Sequence, residues 1–368
     1  MLTDYLFGAG AVAQMVAQGA IFFSNPQRGL GKCPALSVVI CGRNAEQDWK
    51  KNFPEWMRCK ASGQVEFILV DDDSQDNSLR ILDEFSSQDE RVRVVRLTGK
   101  KRPGKRDALH LGLTAASHPQ VFVTDADCRP DSPQFLEQLM EILGPEPALF
   151  IGNGTLMPGL SISSIFAAAD ADRLGRMNFA ALPWIGYLTA VGRNMAYPRD
   201  IGLAALRYSS RFSTVGGDDD LALPFLVQRC RIKRYSPSPR TESDAPATYG
   251  AWRIQKHRHW TTAPHYPTRI KAVFLSRWLV LAINTLALIS IPFQTSTPLI
   301  ACILLGWLIQ ILALGYWQIR FRGLNRLPFK TILLFLLAEL LAIFVPLWLL
   351  AYGSKKNGNT PWTLPPQP

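Results

Sequence analysis

Short apolar runs punctuate the first half of the chain at regular intervals. "LSVVIC" (36–41), "VEFILV" (65–70), "RVRVVRL" (91–97) and "VFVTDA" (121–126) have the length and β-branched content of buried strands. Between them lie segments of helical character, such as "NSLRILDEFSS" (77–87) and "GKRDALHLGLTAA" (104–116). Alternation of β and α with continuous apolar strands predicts an α/β fold whose sheet is covered on both faces. The second half changes character. From Trp278 to Ile319 there is no Asp, Glu, Lys or Arg. As one helix that run would extend about 60 Å, twice the hydrocarbon core of a bilayer. It therefore predicts two spans, turning at Gln-Thr-Ser-Thr between Pro292 and Pro298. A third apolar run, Thr331 to Gly353, contains one charge, Glu339, which would face other helices or a polar cavity rather than lipid. Tyr5 to Phe23 is uncharged but diluted by glycine and glutamine, and reads as a membrane span or an interfacial helix. The pattern thus divides the chain into an N-terminal membrane segment (1–30), a polar domain (31–265) and a transmembrane region of about three helices (266–368).

Charge adds an orientation. Lys and Arg number 40 against 29 Asp and Glu, a formal net charge of +11. Such a balance suits nucleic acid, an anionic membrane or a phosphorylated ligand. Much of the excess flanks the apolar runs: Arg269, Lys271 and Arg277 before the first, and Arg320, Arg322, Arg326 and Lys330 in the linker to the third. That distribution argues against a nucleic-acid partner and places the polar domain in the cytoplasm. Lys355 and Lys356 run against the rule if all three runs cross. The six cysteines contain no C-x-x-C pair, so neither a zinc site nor a disulfide framework is expected.

Candidate chemistry lies where ligands sit in such sheets, at the carboxyl ends of strands. The second strand runs into Asp71, Asp72 and Asp73, and the fourth into Asp125 and Asp127. On extended backbone Asp125 and Asp127 would point the same way. Two carboxylates so placed repel unless a cation joins them, and Mg²⁺ or Mn²⁺ beside phosphate oxygens is the usual resolution. Gly104, Lys105 and Arg106 open a helix and could face an anion, or form a solvated basic turn. Asp218, Asp219 and Asp220 follow two glycines, as a helix cap or as a general base on a loop. "WRIQKHRHW" (252–260) reads either as site residues or as a juxtamembrane anchor for anionic lipid.

Taken in order, "SVVICGRNAE", "ILVDDDSQDNS", "GKRDALHLGL", "VFVTDADCRP", "VGRNMAYPR", "GGDDDLALP" and "QKHRHW" resemble the membrane-bound members of glycosyltransferase family 2. The resemblance covers about residues 36–260. It implies a GT-A nucleotide-sugar-binding domain, with a mixed, mostly parallel sheet, joined to C-terminal transmembrane helices. It further implies an inverting, divalent-metal-dependent transfer of sugar from a nucleotide donor, UDP-linked, to a membrane-associated acceptor hydroxyl. The acceptor would be lipid, lipid-linked or polysaccharide, and the setting a bacterial inner membrane with the catalytic domain in the cytoplasm. By the same resemblance Arg43, Asn44, Glu46, Asp72, Lys105, Asp125, Gln255 and Arg258 serve the donor. Asp125 and Asp127 bind Mg²⁺ or Mn²⁺, and Asp218 is the catalytic base. Arg193, Asn194, Asp219 and Trp260 line the acceptor side. Two departures stand out. Gly217 occupies a position that is usually acidic in the family, which keeps Asp219 open as the base. His259 intervenes between Arg258 and Trp260, which puts processive synthesis in doubt. The alternative is a non-catalytic membrane scaffold that retains a degenerate sugar-nucleotide fold.

Overall fold

The computed structural model describes residues 31–100, 104–212, 214, 216–293 and 295–318, together with Phe7, Ala9, Leu334, Phe335, Leu337 and Ala338. The chain forms two compact units. Of the described residues, one takes in those within 31–159 and 189–265, the other those within 160–188 and 266–318 with the isolated positions named above.

The first unit is built on an eight-stranded sheet. Its strands are β1 (Ala35–Gly42), β2 (Gln64–Asp72), β3 (Val92–Leu97), β4 (Gln120–Asp125), β5 (Cys128–Pro130), β6 (Leu149–Met157), β7 (Met195–Pro198) and β8 (Lys233–Asp244). Their order across the sheet is β3-β2-β1-β4-β7-β6-β8-β5. The pairs among β3, β2, β1 and β4 are parallel, as is β6 with β8; β7 and β5 pair antiparallel with their neighbours. The sheet is therefore mixed and mostly parallel. Helices α1 (Glu46–Met57), α2 (Ser78–Gln88), α3 (Arg106–Ala115) and α4 (Phe135–Leu143) connect and cover the parallel strands. Strand register then decides where the acidic residues go. Gly42 pairs with Asp71 and Cys41 pairs with Asp125, so the acidic ends of β2 and β4 flank the end of β1 on one edge.

α1 shows how the core supports that edge. Trp49, Phe53 and Trp56 recur at helical spacing on its buried face and pack with Phe67, Phe122 and Phe135. Trp56 and Phe135 meet edge to face with ring centroids 5.0 Å apart. The same helix also reaches the strand ends. Asn52 Nδ2 donates to the Ala126 carbonyl at 3.0 Å and Trp56 Nε1 to the Cys128 carbonyl at 2.9 Å. Gly42 lets these parts close up, because a Cβ there would lie 2.7 Å from Trp49 and 2.8 Å from Ala126. Further along the chain, α6 (Arg199–Ser209) and α7 (Leu223–Arg229) precede β8, and α8 (Tyr249–Thr262) follows it.

The second unit is helical in its described part: α5 (Ile162–Ile185), α9 (Thr268–Ser290) and α10 (Thr297–Trp317). The stretch Thr268–Phe293 and α10 are each long and apolar enough to cross a membrane. They present large apolar side chains outward, among them Leu279, Leu286, Leu304, Leu308 and Leu312. α5 was not anticipated from the sequence. It joins α10 through a buried polar cluster: Asp172 accepts from Trp317 Nε1 (3.0 Å), Gln318 Nε2 (2.8 Å) and Arg176 Nη1 (2.9 Å). The expected third span, Glu339 and the N-terminal apolar segment lie outside the described residues, apart from a few isolated positions.

Candidate active site

Two loops at the ends of β1 and β2 form one side of the site. They are fastened to each other by hydrogen bonds that need unusual backbone. Asn44 and Asp73 both have positive φ, 49° and 59°. Asparagine and aspartate tolerate this region better than other L-residues. Asn44 Oδ1 accepts from Gln75 N at 2.8 Å, while its own N–H donates to Ser74 Oγ at 2.9 Å. Glu46 N donates to Asp76 Oδ2, and Glu46 Oε2 accepts from Asn77 Nδ2, each at 3.1 Å. Asn44 and Glu46, expected on the donor, thus spend these bonds joining the two loops.

Asp72 is fully buried at the end of β2, where its carboxylate receives the ammonium of Lys100, also fully buried. Burial opposes its charge more than Lys100 and Arg43 support it, and its pKa rises to about 6. Lys100 was missed by sequence reasoning. It stands after the third strand in "TGKKRPGK", where four basic residues lie close together and spacing does not single one out.

The centre of the site is a cation between carboxylates. Lys105 Nζ lies 2.8 Å from Asp125 Oδ1 and 3.6 Å from Asp218 Oδ2. These charges hold the lysine well above its usual pKa despite burial. Asp127 does not continue the strand. β4 ends at Asp125, where Ala126 N makes the last ladder bond to the Cys41 carbonyl of β1 at 3.0 Å, and Ala126 and Asp127 form a turn. The expectation that Asp125 and Asp127 share a strand face is therefore corrected; what holds Asp127 in place is a turn pinned by Asn52 and Trp56. Its carboxyl sits above the ordinary range, first because protein displaces water around it and next because the Asp125 charge repels its own. Cys128 Sγ donates to Asp127 Oδ1 at 3.1 Å.

The three carboxylates at 218–220 have distinct surroundings. Asp219 accepts from Gly192 N through Oδ2 and from Asp220 N through Oδ1, each at 2.8 Å. A Cβ at Gly192 would lie 2.7 Å from Asp219 Oδ2, so only glycine allows this approach. Asp220 accepts from Ala190 N at 2.9 Å. These two aspartates anchor the 189–194 segment, while Asp218 faces the lysine. The helix-cap reading does not hold, since α7 begins at Leu223 with Ala222 as its N-cap.

The remaining expected residues divide. Arg193 Nη2 donates to the Gly154 carbonyl at 3.1 Å, and its charge acts on Asp127. Asn194, expected in the acceptor pocket, is instead completely buried. It donates to the carbonyls of Asn153 (2.7 Å) and Pro239 (3.1 Å) and ties β6 to β8 inside the sheet. Gln255, Arg258 and Trp260 lie on α8, with Trp260 exposed. That helix borders the glycine pair: a Cβ at Gly217 would come within 2.5 Å of Thr262 Cγ2, and one at Gly216 within 4.0 Å of the Arg258 carbonyl.

Among the described residues no group of three or more His, Cys, Asp or Glu is placed to hold a metal ion alone. A carboxylate at a strand end and a second in the turn after it nevertheless suit a hard divalent cation that completes its shell with phosphate oxygens and water. The raised pKa of Asp127 is the cost that such a cation would relieve.

Residues 37–156 match the family model described as "Glycosyl transferase family 2". Over 95 residues the chain is 30% identical to an uncharacterized glycosyltransferase of Haemophilus influenzae, covering 26% of this chain and 28% of that protein. Over 63 residues it is 41% identical to glycosyltransferase GlyG of Streptococcus pneumoniae serotype 4, covering 17% and 20% respectively. The chain thus spans between a fifth and a third of the length of these relatives. Among solved structures, its fold is similar to that of the mannosyltransferase PcManGT from Pyrobaculum calidifontis in complex with GDP-Man and Mn²⁺. That likeness has a TM-score of 0.50 at 16% identity and covers 92% of this chain and 99% of that one.

Proposed function

We propose, from the premise that this chain carries a glycosyltransferase family 2 domain, that it transfers a sugar from a nucleotide donor to a membrane-associated acceptor hydroxyl with inversion. One observation carries the reading. Carboxylates from the end of β4 and from the loop before α7, 93 residues apart in sequence, meet on the single ammonium of Lys105. Cleavage of a nucleotide sugar builds negative charge on the leaving diphosphate while the acceptor hydroxyl must lose a proton. The site offers a positive group and carboxylates side by side for these two needs.

In this mechanism the fastened loops bind the nucleoside through Arg43, with Asp72 buried on Lys100 beside it. Asp125 and Asp127 would hold Mg²⁺ or Mn²⁺ against the diphosphate, and the ion would neutralise charge on the leaving group. Lys105, with Gln255 and Arg258 from α8, adds donors and positive charge on the same group. Asp218 takes the proton of the acceptor hydroxyl as its oxygen bonds to the anomeric carbon from the face opposite the departing diphosphate. Asp219 is the weaker candidate for the base because both its oxygens are already occupied by backbone N–H groups. Arg193 and Trp260 border the acceptor side. The two apolar helices support a membrane setting, in which a lipid or lipid-linked acceptor reaches a site on the cytoplasmic face.

The test is Asp218→Asn in detergent-purified protein with MnCl₂ or MgCl₂, assayed against a panel of UDP- and GDP-linked sugars for nucleoside diphosphate release. Positioned proton transfer contributes about 10²–10⁴-fold, so turnover should fall by at least about 10² with nucleotide binding kept. Undiminished turnover rejects Asp218 as the base. A wild-type protein that binds nucleotide but turns over no sugar nucleotide would favour the scaffold reading.

A further inference from the structure

We infer that Arg106 is a positioning residue that sets the place of Asp218 by clasping the loop before it. The inference rests on the reading of Asp218 as the base. Arg106 follows Lys105 directly, as the first residue of α3. Its side chain is buried. Nη1 donates to the Phe212 carbonyl at 3.0 Å, and Nη2 donates to Thr214 Oγ1 at 3.0 Å and to the Gly216 carbonyl at 3.1 Å. Thr214 Oγ1 in turn donates to the Gly216 carbonyl at 2.8 Å. One planar guanidinium therefore engages three acceptors on a segment that ends two residues before Asp218. Such a fork fixes direction as well as distance, which a lysine ammonium cannot do.

The consequence follows from chain connectivity. Lys105 and Arg106 are rigidly related by the start of one helix. Lys105 touches Asp218 directly, and Arg106 fixes the backbone from which Asp218 hangs. Beyond it the chain is held by Leu221 N on the Gly217 carbonyl and Leu223 N on the Asp219 carbonyl, each at 2.9 Å. Without the guanidinium, Phe212, Thr214 and Gly216 lose their common partner, and of this set only the Thr214–Gly216 bond remains before Asp218. The guanidinium bonds of Arg106 run to Phe212, Thr214 and Gly216. Its removal should thus reduce transfer while leaving nucleotide affinity in place.

The experiment compares Arg106→Ala, Arg106→Lys and Thr214→Val with the wild type in the full chain. Three quantities are read: UDP and GDP affinity with MnCl₂, nucleoside diphosphate release from UDP- and GDP-linked sugars, and the thermal midpoint. Arg106→Ala should lose about 10² in turnover, the size expected when a reacting group shifts by about an ångström. Nucleotide affinity should stay at the wild-type value. Added guanidinium should restore part of the lost turnover in Arg106→Ala and none in the wild type. Arg106→Lys should recover little, and Thr214→Val should show a smaller loss confined to turnover. Wild-type turnover in Arg106→Ala overturns the inference. So does a joint loss of nucleotide affinity and thermal midpoint in both Arg106→Ala and Thr214→Val, with no response to guanidinium. Failure of the underlying reading looks different: Asp218→Asn would then retain turnover, whatever Arg106→Ala does.

Discussion

Replacing Lys105 by methionine tests the electrostatic centre of the site, because it removes the positive charge and keeps most of the side-chain volume. Lys105 is 15% exposed, and its partners Asp125 and Asp218 are 27% and 9% exposed, so screening by water is limited. At an effective dielectric constant of about 20, charges 2.8 and 3.6 Å apart attract by roughly 6 and 5 kcal/mol. Taking the ammonium out of water offsets much of this. Removing one partner of a buried pair still costs about 3–5 kcal/mol, since the remaining charge is left uncompensated. Asp125, Asp127, Asp218 and Asp219 would then lose the ammonium whose charge acts on all four. Asp127 and Asp219 already have raised pKa values with Lys105 present. A raised carboxylate pKa is a cost that is absent below the unfolded value, near 3.8, and grows as pH rises through the folded value. The deficit of Lys105→Met relative to the wild type should therefore be larger at pH 7.5 than at pH 5. Thermal unfolding in detergent followed by tryptophan fluorescence would show it as a drop of roughly 10 °C at pH 7.5. MnCl₂ should stabilise the variant more than the wild type, because the ion supplies the missing positive charge. A deficit below about 1 kcal/mol, or one that does not change with pH, would refute the account of Lys105 as the charge that holds these carboxylates together.

Two further outcomes follow from the same structure. Asp72 has a folded pKa of about 6 against an ordinary 3.8, so its contribution to stability falls as pH rises through that window, by roughly 3 kcal/mol in all. Thermal midpoints at pH 4 and pH 6.5 should fall more steeply in the wild type than in Asp72→Asn, where Asp127 and Asp219 still supply part of the slope; an identical slope in both would assign it wholly to other groups. Gly217→Ala places a methyl 2.5 Å from Thr262 Cγ2 on backbone with φ of +82°, a conformation costing an ordinary residue about 1–2 kcal/mol. Sugar-nucleotide turnover should fall by about 10², and Thr262→Ser in the same chain should restore only part of it, because the backbone strain remains. Full recovery in the double variant would show that the contact alone mattered.

Much of this protein is legible in the order of its residues. The four apolar runs become β1 to β4, and acidic residues placed directly after them necessarily reach one sheet edge once those strands run parallel. The uncharged run beginning at Trp278 falls in two long apolar helices, Thr268–Ser290 and Thr297–Trp317, parted at the Pro292–Pro298 turn that its sequence marks. These features depend on local composition and period, which a linear sequence carries in full. Other decisions belong to contacts between distant segments. Asp127 sits in a turn because Asn52 and Trp56, more than seventy residues earlier, hold the carbonyls of Ala126 and Cys128. Asn194 looks like a pocket residue by its neighbours in sequence, yet the antiparallel entry of β7 carries it into the sheet. The choice among Asp218, Asp219 and Asp220 turns on backbone N–H groups of Gly192 and Ala190, nearly thirty residues away. Arg106 and Lys105 are adjacent basic residues in a helix start, and only the fold sends one to the carboxylates and the other to the loop behind them. A side chain's chemistry is written locally, but its partners are chosen by which segments the folded core brings within hydrogen-bond reach.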